Sequence, residues 1–508
     1  MNPATSLPPT AATQAKFNVA YIWTISLVAA LGGLLFGYDW VVIGGAKPFF
    51  ERYFHLTSAA QSGWANSCAL IGCLVGALVA GALSDKFGRK HLLLSSAFLF
   101  AGTSIGNALA PTFFVFVCWR ILGGVAIGLA SNLSPMYIAE VAPAQWRGRL
   151  VSLNQLTIVI GILLAQYLNW FLVRHLPQGA TAEYIANSWY GQLGWRWMFA
   201  LTAVPSVLFF LGMLFVPESP RWLVKNGRGD QAQRILGRIG GEAYAAAEVR
   251  DVQATLASQE TQHVRFQDLL EPRMRKVLLL GVVLAVFQQW CGINVIFNYA
   301  EDIFRAAGYD ISDVLKNIAW TGSVNLGFTF VALGIVDRGG RRVLMLFGAA
   351  GLAVIYAAMG FCYHGGVKGL PMLLLVLVAI GCYAMSLAPV TWVVISEIFP
   401  NRIRGAAMSV AVTSLWLACF LLTYTFPILN QGLGTPQGSI GRFLVETMPW
   451  LKSGLGPAGT FWLYGAICAA GLIFIFARLP ETKGKSLEQI ERELVGDSKS
   501  QAFPPNDA

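Results

Sequence analysis

The chain has 508 residues, of which 56% are hydrophobic and only 12% are charged, and its formal net charge at pH 7 is +10. Soluble domains carry about twice this charged fraction, so the composition excludes an ordinary soluble protein. It indicates instead a protein that crosses a membrane many times.

Twelve segments are apolar over a length that suits a membrane-spanning helix, which needs about 20 residues. They are continuous and do not alternate with a period of two, which excludes the strands of a membrane β-barrel. The first segment is too long for a signal peptide and has no cleavage site, so we expect it to be retained. Numbered span 1 to span 12, they cover residues 19–43, 62–84, 92–110, 113–138, 150–174, 195–216, 276–300, 313–336, 343–363, 370–398, 405–429 and 459–477.

Lysine and arginine are concentrated in alternate loops between the spans, which is typical of loops on the cytoplasmic side of a membrane. The segment 218–275 and the C-terminal tail are on this side, and the opposite loops carry few positive charges. Both termini are therefore predicted to be cytoplasmic. The net positive charge is this bias and does not indicate a nucleic-acid partner. The eight cysteines all lie in predicted spans, without the spacing of a disulfide framework or a zinc site.

Span 1 contains one charged residue, Asp39, in the stretch LLFGYDWVVIGG. An ionisable residue inside a span indicates a functional site. Arg120 in span 4 is the only charged residue between Leu92 and Ala139, so we predict that it pairs with Asp39. The arginine favours the charged carboxylate and burial favours the neutral acid, so separating the pair would let Asp39 take up a proton. The alternative is a purely structural ion pair.

The second half of the chain repeats the first at an offset of about 250–260 residues. DKFGRK at 85–90 returns as DRGGRR at 337–342, and YIAEVAPAQWRGR at 137–149 returns as VISEIFPNRIRGA at 394–406. PESPRW at 217–222 has a looser echo in PETKGK at 480–485. The sequence therefore predicts a duplicated six-helix unit. The predicted organisation is an N-terminal tail, a six-helix bundle, a linker of short cytosolic helices, a second six-helix bundle and a C-terminal tail, at residues 1–16, 17–217, 218–275, 276–478 and 479–508.

The acids and bases that recur in these motifs can form ion pairs that hold the two halves together on the cytoplasmic side. Topology requires only positive charge, so the recurring acids favour such a gate. Incidental surface pairs are the alternative. The predicted gate network comprises Asp85, Arg89, Glu140, Arg147, Glu218, Arg221, Asp337, Arg341, Glu397 and Arg404.

Span 7 carries four amide side chains within eleven residues, Gln288, Gln289, Asn294 and Asn298. On a straight helix they would spread over more than half of the circumference. They converge on one cavity only where the helix unwinds, which Gly292 permits, and broken helices are expected at transporter binding sites. The alternative is that these amides join neighbouring helices.

The motifs DKFGRK, PESPRWL, QQWCGIN, SEIFPNRIRG and PETKGKSLEQIE together resemble the sugar porter family of the major facilitator superfamily. The resemblance extends from about residue 17 to residue 495. It implies an all-α membrane protein with twelve transmembrane helices in two pseudo-symmetric six-helix bundles, which is not an enzyme. The stretches 21–39 and 123–143 resemble the bacterial branch of this family that imports D-xylose with a proton across the inner membrane.

This resemblance implies that Asp39 and Arg120 couple sugar import to a proton gradient without a cofactor. It adds Phe36, Gln155, Trp392 and Trp416 to the four amides as sugar-binding residues. The expected partners are a monosaccharide, a proton and membrane lipid, and the expected functional unit is a monomer.

Three positions depart from the xylose branch: Thr202 replaces an acid in span 6, Asn298 replaces a tyrosine and Leu415 replaces a glutamine. Thr202 in place of the acid predicts that sugar and proton transport are coupled more loosely, or that their coupling is tuned to another pH. The other two leave xylose, glucose, galactose, arabinose or a polyol open as the substrate.

Three alternative functions remain open at this stage. A facilitative uniporter would use Asp39 and Arg120 as a structural pair. A sugar-sensing receptor would be expected to carry a longer extension after Pro480. A drug exporter is disfavoured because the predicted pocket is rich in amides.

Overall fold

The computed structural model describes residues 16–177, 179–260, 269, 271–400, 403–434, 456–483, 485, 489–490 and 493–494, and no β-strand occurs among them. The α-helices, in chain order, are α1 (Val19–Tyr53), α2 (Ala59–Phe87), α3 (Arg89–Leu109), α4 (Phe113–Val141), α5 (Arg147–Val173), α6 (Ala182–Asn187), α7 (Trp195–Ala200), α8 (Ala203–Phe215), α9 (Pro220–Lys225), α10 (Gly229–Gly240), α11 (Glu242–Glu260), α12 (Pro272–Trp290), α13 (Ile293–Asn298), α14 (Ala300–Ala306), α15 (Ile311–Gly339), α16 (Arg341–His364), α17 (Leu370–Met385), α18 (Leu387–Ile398), α19 (Arg404–Gly434) and α20 (Gly456–Arg478). A π-helical turn, Tyr190–Gly194, precedes α7.

Within the described residues, twelve helical segments are long and apolar enough to cross a membrane, which confirms the twelve predicted spans. The largest difference is in span 1, because α1 continues ten residues beyond the predicted end at 43. The extension contains Lys47, which is only 4% exposed. A lysine normally indicates the end of a span, but this one is paired inside the protein, so the helix continues past it.

Three of the spans consist of two consecutive helices. Span 6 is interrupted before Pro205 and span 10 before Pro389. A proline has no N–H to donate to the carbonyl four residues earlier, so the preceding helix ends nearby. Span 7 is interrupted at Gly292, whose φ of +88° is in the left-handed region that favours glycine. The predicted unwinding of span 7 at Gly292 is therefore confirmed.

The segment that follows span 6 contains α9, α10 and α11. The Ser219 hydroxyl accepts a hydrogen bond from the Trp222 N–H and so caps α9. Trp222 and Leu223 form a small apolar core with Ala232, against which Val249 packs. The linker is therefore a folded helical element within the part that is described.

The structure divides into two compact units. The first contains the described residues of Met1–Trp40, Gly72–Ile162 and Phe199–His263. The second contains those of Val41–Ile71, Leu163–Met198 and Val264–Ala508. The division cuts through several spans and does not follow the predicted repeat boundaries, which remain a prediction.

Close packing of α2 on α4 in the first unit depends on glycine. A Cβ atom on Gly72 would overlap the carbonyl oxygen of Ile121, and one on Gly128 would overlap that of Cys73. Small residues allow the backbones of membrane helices to approach in this way.

The substitution Gly72→Val is expected to destabilise the protein by about 1–3 kcal/mol, because the added side chain forces the two helices apart. The control is Gly81→Val in the same helix, where a Cβ atom meets nothing within 4 Å. Thermal unfolding in detergent micelles should show a lower midpoint for the first variant only. Equal unfolding midpoints for the two variants would contradict the conclusion that the packing of α2 on α4 requires glycine at position 72.

Candidate functional site

The predicted pairing of Asp39 with Arg120 is present in the first unit. Nη1 of Arg120 lies 3.2 Å from Oδ1 and 3.1 Å from Oδ2 of Asp39. Only 6% of Asp39 and 3% of Arg120 is exposed. The Arg120 guanidinium also lies 5.5 Å from the ring centroid of Phe199, which adds a favourable cation–π contact. Such a buried charge is tolerable because each partner neutralises the other.

The bond is made through one nitrogen of the guanidinium, so it is not the strong parallel arrangement of two N–H groups on two oxygens. Nε of Arg120 has no hydrogen-bond partner in the described part of the chain. Arg120 therefore keeps a donor that the described residues do not use. Thr202, where the resemblance implies an acid, is also buried and lies at the interruption of span 6.

Three of the four predicted amides in the second unit form one continuous chain of hydrogen bonds. Nε2 of Gln289 donates to Oε1 of Gln288 at 2.5 Å, and Nδ2 of Asn294 donates to Oε1 of Gln289. These residues lie on both sides of the interruption at Gly292, so the break brings them together. Asn298 is buried in the last turn of α13 and makes no side-chain hydrogen bond to any described residue.

Two further residues, which sequence reasoning missed, extend the chain at its ends. Nε2 of Gln288 donates to the hydroxyl of Tyr383 at 3.0 Å, and Nδ2 of Asn294 lies 3.7 Å from Sγ of Cys419. Tyr383 lies in the last turn of α17, just before the interruption of span 10. Nothing in the sequence alone connects spans 7 and 10 at this point.

The remaining predicted sugar ligands have different environments. In the first unit, Phe36 packs edge-to-face on Trp40, and Gln155 is half-buried with no hydrogen bond to a described residue. In the second unit, Trp416 is only 5% exposed whereas Trp392 is 38% exposed. Burial of Trp416 agrees with a position away from the membrane surface, where tryptophan is otherwise enriched.

A polar stripe along α15 is a second feature that sequence reasoning missed. Asn317, Thr321, Asn325 and Thr329 are each at most 7% exposed and recur every four residues, so they lie on one face of the helix. Nε2 of Gln166 lies 3.4 Å from the hydroxyl of Thr321. The four-residue period of polar side chains in an apolar span was a signal that could have identified this stripe.

A buried cluster of charges joins α1 to α14 within the second unit. Nζ of Lys47 lies 3.2 Å from Oε2 of Glu301 and 2.8 Å from Oδ2 of Asp302. Glu51 lies within 3.7 Å of the same nitrogen, and Arg305 pairs with Glu301 at 2.9 Å. This cluster was not predicted, because Glu301 and Asp302 lie immediately after span 7 and resemble ordinary loop charges.

The acids and bases of the predicted gate form ion pairs within each repeat. In the first unit, Nε and Nη2 of Arg89 bond to the two carboxylate oxygens of Glu140 at 3.1 Å each. Arg89 also contacts Asp85 at 3.1 Å. Arg147 instead donates to the carbonyl of Ala139 at 3.0 Å. Asp85 and Glu140 are thus both paired with Arg89, whereas Arg147, at the start of α5, bonds a carbonyl in the last turn of α4.

The second repeat has a corresponding but longer contact. Arg341 lies 3.5 Å from Glu397, and Arg404 donates to the carbonyl of Phe399. These contacts join elements of one repeat, and locking of the two halves remains a prediction. The side chain of Asp337 lies outside the described residues. Arg221 borders a cavity that is also lined by residues of α4 and α11.

A carboxylate caps the helix after each of the repeated glycine turns. Glu218 accepts from the N–H groups of Arg89 and Lys90 at the start of α3. Glu481 accepts from those of Arg341 and Arg342 at the start of α16. A negative charge at a helix N-terminus is stabilising. Although burial opposes the shift, hydrogen bonds from four backbone N–H groups hold the pKa of the Glu481 carboxyl below its ordinary value.

Comparison with known proteins shows similarity over nearly the whole chain. A family model described as "Sugar (and other) transporter" matches residues 25–494. The D-xylose-proton symporter of Escherichia coli (strain K12) is 37% identical over 501 residues, which cover 94% of this chain and 96% of that protein. The glucose transport protein of a Synechocystis species is 38% identical and covers 96% of this chain and 100% of its own.

A solved structure gives the same result for the fold. The inward open conformation of the xylose transporter XylE from E. coli superposes with a TM-score of 0.77 at 35% sequence identity. The match covers 93% of this chain and 100% of that chain. The chain therefore belongs to the sugar porter family of the major facilitator superfamily, and it has the twelve-helix fold of that superfamily.

Proposed function

We propose that this protein imports a monosaccharide together with a proton by alternating access. The observation that carries the proposal is the buried pair of Asp39 and Arg120, whose contact atoms are 3.1 Å apart in an apolar span. An intramembrane acid with one basic partner is the arrangement expected of a proton relay. Proteins of similar sequence that are named as a D-xylose-proton symporter and a glucose transport protein support both parts of the proposal.

In the proposed cycle, Asp39 takes up a proton when a movement of the helices withdraws Arg120 from it. The neutral carboxyl group no longer attracts the arginine, so the protein passes to the conformation that faces the other side. When Arg120 returns, its charge favours the carboxylate again and the proton leaves. The single acid completes this cycle without Thr202, which has no proton to exchange at ordinary pH.

The sugar is held by the amides of span 7, with Gln155 as a further polar ligand and Phe36, Trp392 and Trp416 as apolar surfaces. Amide groups both donate and accept, which suits the hydroxyl groups of a sugar. The buried Leu415 offers no hydrogen bond. The substrate is therefore a pentose or hexose of the D-xylose and D-glucose class. The proton gradient supplies the energy, and no cofactor takes part.

The protein acts in a bacterial inner membrane, with both termini in the cytoplasm and as a monomer. The lysine and arginine bias of the loops supports this orientation. The repeated pairs of Arg89 with Glu140 and of Arg341 with Glu397 stiffen the cytoplasmic ends of the spans. The cytoplasmic gate opens and closes where these ends of the spans separate and meet.

The test uses the purified protein in proteoliposomes at symmetric pH, with a pH electrode in the external solution. D-xylose, D-glucose, D-galactose and L-arabinose are added separately while uptake of radiolabelled sugar is followed, with L-glucose as the control. Uptake of at least one of these four sugars, but not of L-glucose, with alkalinisation of the external solution is expected. Uptake with no pH change would identify a uniporter and overturn proton coupling. No uptake of any sugar would overturn sugar transport itself.

A further inference from the structure

The buried charges around Lys47 join the two halves of the chain at the ends of span 1 and span 7. Each of these spans begins on the side of the membrane that carries the repeated motifs and ends on the opposite side. The whole cluster lies in the second unit, which includes Val41–Ile71 from the first half of the chain. It therefore connects the two halves on the side opposite the motifs.

One face of α1 lies directly on the end of span 7 and its extension. Gly44, Lys47 and Glu51 share this face, because they are three and four residues apart in a helix. A Cβ atom on Gly44 would lie 2.8 Å from the carbonyl oxygen of Phe297, so the two backbones are in close contact. One turn further along α1, Nζ of Lys47 lies 5.8 Å from the ring centroid of Tyr299. In this structure, the end of α1 is thus closed against the end of span 7.

The two sides of this contact carry opposite net charge. The α1 side has two bases and one acid, Lys47, Arg52 and Glu51. The α14 side has two acids and one base, Glu301, Asp302 and Arg305. Among the described residues, the ion pairs that cross the contact are those of Lys47, at 3.2 Å from Glu301 and 2.8 Å from Asp302. A single lysine therefore makes the ionic connection between the two sides.

The cluster is able to separate without leaving a buried charge uncompensated. On α1, Lys47 keeps Glu51, which lies 3.7 Å from its nitrogen. On α14, Glu301 keeps Arg305 at 2.9 Å. The side chain of Asp302 is 35% exposed, so water replaces the lysine there. The usual obstacle to breaking a buried ion pair is a charge left alone in a dry environment, and this arrangement avoids it.

We infer that the cluster around Lys47 is a reversible charge lock, which holds this side of the protein closed and releases when α1 separates from α14. The inference rests on the alternating access of the proposed function. Asp302 attracts Lys47 toward α14, whereas Glu51 attracts it toward its own helix and repels the acids of α14. Two acids that contact the same lysine therefore act in opposite directions on the closed state.

The variants that test the lock replace each acid by its amide, Asp302→Asn and Glu51→Gln. Both substitutions keep the shape of the side chain and remove its charge. Glutamine at position 51 can still accept the hydrogen bond that Glu51 accepts from the hydroxyl of Ser62. The control is Asp310→Asn, which neutralises an exposed acid whose side chain does not cap α15.

The measurement is amide hydrogen exchange of the full-length protein in detergent, followed by mass spectrometry. Peptides covering 45–53 and 299–306 report on the side of the lock, and a peptide covering 83–92 reports on the side of the motifs. Exchange rates reflect how often a segment opens. Alternating access predicts opposite changes on the two sides, whereas a general loss of stability raises exchange on both.

For Asp302→Asn we expect exchange on the lock side to rise by about two- to fivefold, the factor for losing a partly exposed ion pair. Exchange in the peptide 83–92 should fall in the same variant. Glu51→Gln should produce the reverse on both sides, because the α1 side becomes more positive and binds the acids of α14 more strongly. Asp310→Asn should match the parent protein.

The opposite signs of the two variants decide the inference. Changes in the same direction for Asp302→Asn and Glu51→Gln would overturn it, and so would a change in either that is no larger than in Asp310→Asn. Sugar uptake by the parent is measured separately in proteoliposomes. If the variants shift exchange as expected and the parent transports no sugar, the lock stands and the proposed substrate class fails.

Discussion

Replacing Asp39 by asparagine is expected to abolish accumulation of sugar against its gradient, while equilibrium exchange of sugar continues. Asparagine has the same shape as aspartate and can still accept a hydrogen bond from Nη1 of Arg120, now 3.1–3.2 Å from the carboxylate oxygens. It cannot bind or release a proton at ordinary pH. The conformational change then proceeds without proton movement, so the pH gradient no longer drives uptake.

The measurement is uptake of radiolabelled sugar into proteoliposomes with an imposed inward proton gradient, alongside counterflow without a gradient. The control is Asp230→Asn, which removes an exposed carboxylate at the start of α10 and should leave both activities intact. Continued accumulation by Asp39→Asn would show that the coupling proton binds elsewhere. Loss of counterflow together with a lower unfolding temperature would favour the alternative in which the pair is structural.

The second large effect is expected at Lys47, whose side chain is only 5% exposed and lies against three carboxylates. The substitution Lys47→Met removes the positive charge and leaves the carboxylate of Glu301, itself 3% exposed, with fewer partners in a dry environment. Breaking a buried ion pair from one side costs about 3–5 kcal/mol, because the remaining charge is uncompensated. The unfolding midpoint in detergent should therefore fall by several degrees.

The matched control is Lys225→Met. Lys225 also bonds an aspartate, Asp85, at 2.9 Å, but the two side chains are 46% and 50% exposed. An exposed pair of this kind contributes about 0–1 kcal/mol, so its loss should hardly change the midpoint. The triple variant Lys47→Met/Glu301→Gln/Asp302→Asn should recover much of the lost stability, since it removes the uncompensated charges. Equal effects of the two lysine substitutions would show that burial of Lys47 is not what makes its charge important.

The sequence alone was sufficient to predict the number of spans and the pairing of Asp39 with Arg120, because in both cases few residues or segments could fill the role. Twelve apolar segments of sufficient length leave little freedom in the number of spans, because unpaired backbone groups cannot remain in a bilayer. The pairing of Asp39 with Arg120 was predictable for a similar reason. Each is the only charge in a long apolar stretch, and two buried charges of opposite sign have no other means of compensation within those spans.

The tertiary structure decided the partners wherever polar groups are plentiful. Near the ends of the spans, Glu140 had both Arg89 and Arg147 available, and in the folded protein it bonds Arg89 while Arg147 bonds a backbone carbonyl. Lys47 and Glu301 are 254 residues apart, and only the packing of α1 against α14 makes them partners. The amide chain of span 7 likewise ends on the hydroxyl of Tyr383 in span 10, which is 95 residues away in the chain. Such choices differ by one or two hydrogen bonds, so local sequence does not determine them and the packing of distant helices does.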